Sequence, residues 1–149
     1  MMIMKKNDVL YVGVSVNPHD IKNLLKETPF SEYSVKEEAH MTVCFRPNNS
    51  RLAELMPLIG KEVELHVEAV GTLTENSILM NVGLRISADG LEQIILPPNV
   101  PHITVWINEE KKAKAVNTRH CQWTHPLSAT LQGRLAVYNG KNEWAFSVE

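Results

Sequence analysis

Apolar and polar positions change rhythm along this chain, and each change predicts an element. Residues 8–16 are rich in Val, Leu and Tyr and predict a strand. Gly13 interrupts it and leaves room for a ligand or another strand to come close. Asn17-Pro18 starts a helix, with Asn17 as cap, Pro18 in the first turn and Asp20 near the positive dipole end. Ile21, Leu24 and Leu25 form its apolar stripe, His19 falls off that stripe and reads as solvated, and Thr28-Pro29 stops the helix. A polar connector over 30–38 leads into a strand at 39–45. Turn chemistry from Arg46 to Ser50 ends that strand, and Ser50 is expected to cap a short helix carrying Leu52, Leu55 and Met56.

The clean alternation over 62–73 sets Val63, Leu65, Val67 and Ala69 on one face and Glu62, Glu64, His66 and Glu68 on the other. His66 therefore belongs to a solvated acidic face. A turn at Thr74-Glu75-Asn76-Ser77 joins this strand to a second at Ile78–Ile86, where Met80, Val82 and Leu84 alternate with Asn81 and Arg85. Asp89-Gly90-Leu91-Glu92 has the composition of a helix start, and 91–96 fits a short helix or a strand. Pro97-Pro98-Asn99 and Pro101 exclude regular structure before a strand at His102–Ile107, in which parity puts Trp106 on the face of His102 and Thr104. Residues 111–117 read as a short basic helix or a loop. Strands at 127–138 and 143–149 are joined by Asn139-Gly140, the preferred pair for a two-residue type I′ hairpin. About seven strands and two or three short helices predict one α+β domain over 1–149 with mostly antiparallel pairing.

Composition narrows the partners. The chain has 149 residues, 44% apolar and 21% charged, and its net charge of −2 gives no pull toward a long polyanion, so a nucleotide partner is expected to be small. The opening Met1-Met2-Ile3-Met4-Lys5-Lys6 has the wrong order and length for a secretory signal, and no run reaches membrane-spanning length. Cys44 and Cys121 are far apart without metal-type spacing, which predicts reduced thiols and a cytoplasmic setting. A monomer without membrane association is expected.

Candidate chemistry comes from a phrase that occurs twice. Ala39-His40-Met41-Thr42-Val43 is echoed sixty-two positions later by Pro101-His102-Ile103-Thr104-Val105. On a strand each histidine shares a face with its threonine, while Met41 or Ile103 turns to the core. Imidazole is the side chain that exists near pH 7 in both neutral and protonated forms, so two of them can act as base and acid in one step. Opening a 2′,3′-cyclic phosphate needs such a pair: one takes a proton from attacking water, and the other protonates the departing ribose oxygen. Threonine hydroxyls can donate to the non-bridging oxygens, where charge builds. The scheme requires neither metal nor cofactor.

The paired motifs resemble the 2H phosphoesterase superfamily, a bilobal α+β fold in which mostly antiparallel sheets flank a central cleft and each lobe contributes one motif. Within it, Tyr11-Val12-Gly13, His40-Met41-Thr42-Val43-Cys44-Phe45, His102-Ile103-Thr104 and Ala115-Val116-Asn117-Thr118 are similar to the catalytic domain of 2′,3′-cyclic-nucleotide 3′-phosphodiesterases and the cyclic phosphodiesterase domain of tRNA ligases. The resemblance implies His40 and His102 as the acid–base pair and Thr42 and Thr104 as phosphate donors. It also implies Tyr11 and Phe45 beside the nucleotide and the Val116 backbone near the phosphate. Trp106 is a base-stacking candidate from parity. The implied substrate is a nucleoside 2′,3′-cyclic phosphate or an RNA end carrying one, opened to a 2′-phosphate.

Three other readings compete. Small 2H proteins also include enzymes that cleave cyclic dinucleotides. A binding module that keeps the cleft without turnover is a second, although binding alone needs no proton donor and acceptor. A metal site from His120, Cys121 and His125 with a distant His or Asp is a third, but the spacing matches no recognised zinc pattern. Lys111, Lys112 and Lys114 form the one dense basic cluster and read as a solvated face.

Overall fold

The computed structural model describes residues 2–95 and 100–149; the expectations at Pro97-Pro98-Asn99 and at the end of 91–96 lie outside them. The strands are β1 (Tyr11–Val16), β2 (His40–Phe45), β3 (Glu62–Glu75), β4 (Ile78–Ile86), β5 (His102–Ile107), β6 (Gln122–Tyr138) and β7 (Trp144–Ala145). Two helices, α1 (Pro18–Leu24) and α2 (Asn49–Leu55), and three short 3₁₀ segments complete the α+β architecture. All ladders between these strands are antiparallel. Their order β1-β2-β5-β4-β3-β6 closes on itself because β6 also pairs with β1, giving a six-stranded barrel with β7 added to β6.

Closure depends on the length of β6. Its first part pairs with β3 from Gln122 to Arg134, and its last part, Gly133 to Tyr138, pairs with β1. One strand thereby joins both ends of the sheet. Alternation decides the core: Val12, Val14, Met41, Leu65, Val70, Leu84, Ile103, Val105 and Leu135 are fully buried, together with Ile21 of α1 and Leu55 of α2. Burying a side chain of this size stabilises the fold by about 1.5–3 kcal/mol.

Several local expectations change. Asn17 caps α1 as expected, accepting from His19 N at 2.9 Å, but Asn48 rather than Ser50 caps α2, accepting from Arg51 N at 2.8 Å. The β3–β4 hairpin forms, with Asn76 and Ser77 both at positive φ, and His66 stays exposed, 3.2 Å from Glu64. The final hairpin is not the two-residue turn that Asn139-Gly140 suggested. Tyr138 pairs with Trp144, so the connection runs over 139–143, and Asn139 Oδ1 accepts from Lys141 N at 2.7 Å to hold this wider loop. Residues 91–95 form turns, and 111–117 gives way to a 3₁₀ helix at Ala115–His120. No helix among the described residues is long and apolar enough to cross a membrane.

Candidate active site

The two histidine strands meet at one paired position, Met41 opposite Ile103, both fully buried. In an antiparallel pair this register sets His40 opposite Thr104 and Thr42 opposite His102, all four on the face away from the core. The histidines occupy opposite corners of the resulting square, and so do the threonines.

The neighbouring strands repeat this arrangement. In the β1–β2 ladder Ser15 faces His40 and Gly13 faces Thr42; in the β4–β5 ladder Arg85 faces His102 and Gly83 faces Thr104. Each ladder then shifts register, between Val12 and Gly13 in one and between Val82 and Gly83 in the other. The glycines are required by close packing. A Cβ on Gly13 would lie 3.0 Å from Met41 O and 3.5 Å from His40 Cδ2, and one on Gly83 would overlap Thr118 Cγ2.

These shifts decide two candidate residues by reversing side-chain parity along the motif strands. Phe45 lands opposite Tyr11, on the site side, and is 61% exposed with the Arg46 guanidinium 5.3 Å from its ring centre. Trp106 lands opposite Val82, which is fully buried, and packs 4.8 Å from Tyr33 against the core. The parity expectation that Trp106 stands beside His102 and Thr104 is thus overturned by one extra residue in the ladder.

Both imidazoles are held in the same way. His40 Nδ1 lies 2.8 Å from Glu38 O and His102 Nδ1 lies 3.0 Å from Val100 O. A carbonyl oxygen only accepts, so each Nδ1 carries the hydrogen and each Nε2 is the atom free to exchange a proton. Thr42 Oγ1 is 3.1 Å from His40 Nε2 and donates to it in the neutral ring. Tyr11 stacks on His40 at 4.9 Å, Trp144 lies at 5.5 Å, and Tyr138 stacks on Trp144. Burial against this aromatic wall lowers the His40 pKa below 6.5; the Glu38 carbonyl and carboxylate oppose the shift, whereas Lys36 and His102 add to it. Burial, with Tyr138 and Glu38, raises the Tyr11 phenol well above its usual range.

The second threonine has different surroundings. Thr104 Oγ1 lies 2.9 Å from Thr118 Oγ1 and donates weakly to Ala115 O at 3.4 Å. Thr118 is fully buried, and Asn81 Nδ2 donates to its hydroxyl at 3.0 Å and to Lys114 O at 2.9 Å. Val116 is exposed beside Ala115, which places its backbone next to Thr104.

The fold therefore brings His40, Thr42, His102 and Thr104 together, with Tyr11 and Phe45 on one side and the Val116 segment on the other. Sequence reading missed Asn81, Thr118, Arg85 and the wall formed by Tyr138 and Trp144. One signal was available: Val12-Gly13-Val14 before the first motif is matched by Val82-Gly83-Leu84 before the second. Cavities of about 690 Å³, lined in part by Arg46, and 260 Å³, lined in part by Ser15, include neither histidine.

The residues of the metal reading are engaged elsewhere. His120 Nε2 accepts from Arg119 Nε at 3.2 Å, and His125 packs edge-on to Phe30 at 5.5 Å. Burial pushes the Cys121 thiol up to about 11. Among the described residues no three His, Cys, Asp or Glu side chains are grouped to hold a metal ion. No protein-family model matches the sequence, and a search of curated proteins finds no match.

Proposed function

We propose that this protein is a phosphodiesterase that opens 2′,3′-cyclic phosphates of nucleotides or RNA ends to 2′-phosphates, by the two-histidine mechanism of the 2H phosphoesterases. In this reading the β1–β2 and β4–β5 pairs are the centres of the two lobes. The observation that carries it is the Met41–Ile103 register, which crosses two H-x-T strands so that both histidines and both threonines lie on one face of the paired strands.

His40 is the base, because burial favours its neutral form. Its Nε2 takes a proton from water as the oxygen attacks phosphorus. The P–O3′ bond breaks on the opposite side, and His102 Nε2 gives its proton to the departing 3′ oxygen. Proton exchange with solvent restores both rings. Thr42 turns its hydroxyl from His40 to a non-bridging oxygen when the phosphate arrives, which frees the lone pair of Nε2. Thr104 donates to the other oxygen, and these bonds strengthen as charge builds in the transition state. Two imidazoles and two hydroxyls handle every proton and charge, so the scheme is metal-independent. Tyr11 and the exposed ring of Phe45 supply the apolar surface for a base.

The purified protein is expected to convert 2′,3′-cyclic AMP to the 2′-phosphate in excess EDTA. Loss of turnover on chelation would sink the two-histidine scheme. Turnover confined to cyclic dinucleotides would replace the substrate. Tight binding without turnover of either class would favour the binding module.

A further inference from the structure

We propose that Asn81 and Thr118 are positioning residues that fix the direction of the Thr104 hydroxyl, making Thr104 a donor committed to the anion. The inference rests on the reading of Thr104 as a phosphate donor.

The direction of each hydrogen bond follows from its chemistry. An amide nitrogen only donates, so Thr118 Oγ1 must accept from Asn81 Nδ2, 3.0 Å away. The same nitrogen also donates to Lys114 O at 2.9 Å, which fixes the amide against flipping because its oxygen would otherwise face that carbonyl. The 2.9 Å bond between the two hydroxyls can run either way: run from Thr104 it leaves the buried Thr118 proton without an acceptor among the described residues, whereas run from Thr118 it satisfies that proton and leaves the Thr104 proton for a third partner. At rest that partner is Ala115 O, at a long 3.4 Å. A phosphate oxygen, being charged, forms a shorter and stronger bond and takes the proton from it. The hydroxyl reaches the substrate already oriented and polarised by the chain behind it.

Asn81 and Thr118 are the two polar residues among the buried residues described, and Asn81 Oδ1 has no hydrogen-bond partner there. An apolar pair would avoid that unpaired acceptor. Asn81 stands two residues before Gly83, as Tyr11 stands two before Gly13, so the site's repeated framework places a different device at the same point on each side.

The test is a double-mutant cycle of Thr118→Val and Thr104→Val, read both by turnover of 2′,3′-cyclic AMP and by binding of adenosine 2′-phosphate followed by calorimetry. Thr118→Val should lower kcat by roughly tenfold or more with a smaller change in KM, and should weaken binding of adenosine 2′-phosphate. Thr118→Ser should restore both. In a Thr104→Val background Thr118→Val should add little, since its effect passes through the missing hydroxyl. Equal losses in both backgrounds, or a folded Thr118→Val protein that behaves as wild type, would overturn the proposal while leaving the phosphodiesterase reading intact. If wild type binds adenosine 2′-phosphate without turnover, the phosphodiesterase reading fails and the binding cycle still decides the role of Thr118. If it neither binds nor turns over, both fail. Should Thr118→Val not fold, Thr118→Cys carries the cycle, because a thiol fills the site but donates poorly.

Discussion

Around His40 the surroundings are aromatic, and around His102 they are polar, although the backbone beneath both is the same. In each half a glycine faces the threonine and a register shift follows it. An indole also closes on each glycine: Trp144 would be 3.6 Å from a Cβ on Gly13 and Trp123 would be 3.3 Å from one on Gly83. The difference lies in which member of the motif is controlled. Tyr11, Tyr138 and Trp144 desolvate His40 and favour its neutral form, whereas Asn81 and Thr118 engage Thr104 and leave His102 Nε2 without a hydrogen-bond partner among the described residues. A two-fold framework alone would make two equivalent imidazoles; in the proposed scheme, the differing added layers are what distinguish base from acid.

The largest effect should come from removing either imidazole. His40→Ala and His102→Ala are each expected to lower kcat for 2′,3′-cyclic AMP by at least about 100-fold. A variant that keeps wild-type turnover would remove its half from the mechanism. The threonines come next, at roughly 10–100-fold for Thr42→Val or Thr104→Val. Thr42→Val should also change the acid limb of the pH–rate profile, because Thr42 bonds directly to His40 Nε2 whereas Thr104 does not. Identical profiles for the two variants would contradict the division of roles.

Stability offers a comparison independent of activity. Gly83→Ala must displace Thr118 Cγ2 while also approaching Ile103 O at 3.2 Å and should cost about 1–3 kcal/mol in urea unfolding. Gly13→Ala meets its nearest atom, Met41 O, at 3.0 Å and should cost less. The reverse order would show that the two glycine contacts are not packed as described.

The smallest expected effect is a pH shift. Because burial lowers the His40 pKa from 6.5, a proposed base at this position is mainly neutral at pH 6.5, and the acid limb of kcat/KM should fall below that pH. Trp144→Ala admits water to the ring and should move the limb up toward 6.5. Unmoved, it would mean that the wall does not set the base. The same shift bears on folding: protonation is disfavoured in the native state, so the His40 contribution is fully present above 6.5 and is lost as pH falls through the lowered native value.

Much of this was legible in the sequence because strand chemistry is local. Alternation marked the core faces of β3 and β4, turn residues marked the breaks, and two H-x-T phrases marked four side chains that parity places on strand faces. The hairpin at Asn139-Gly140 failed because local turn preference competes with the pairing of Tyr138 and Trp144, and the ladder set the longer loop. Trp106 failed because parity assumes an unbroken ladder. A bulge is a property of two paired strands, and one strand's sequence does not state its partner's register.

The sequence by itself determined the α+β class, the positions of most strands and the residue types able to move protons. Each of these depends on φ/ψ preference, side-chain period or intrinsic acidity, which a short stretch of chain carries within it. Tertiary structure alone decided that His40 faces Thr104, that Phe45 turns toward the site and Trp106 away, and that Asn81 and Thr118 stand behind one threonine. Those outcomes depend on contacts between residues tens of positions apart, where pairing register and burial, rather than local preference, fix which atoms meet.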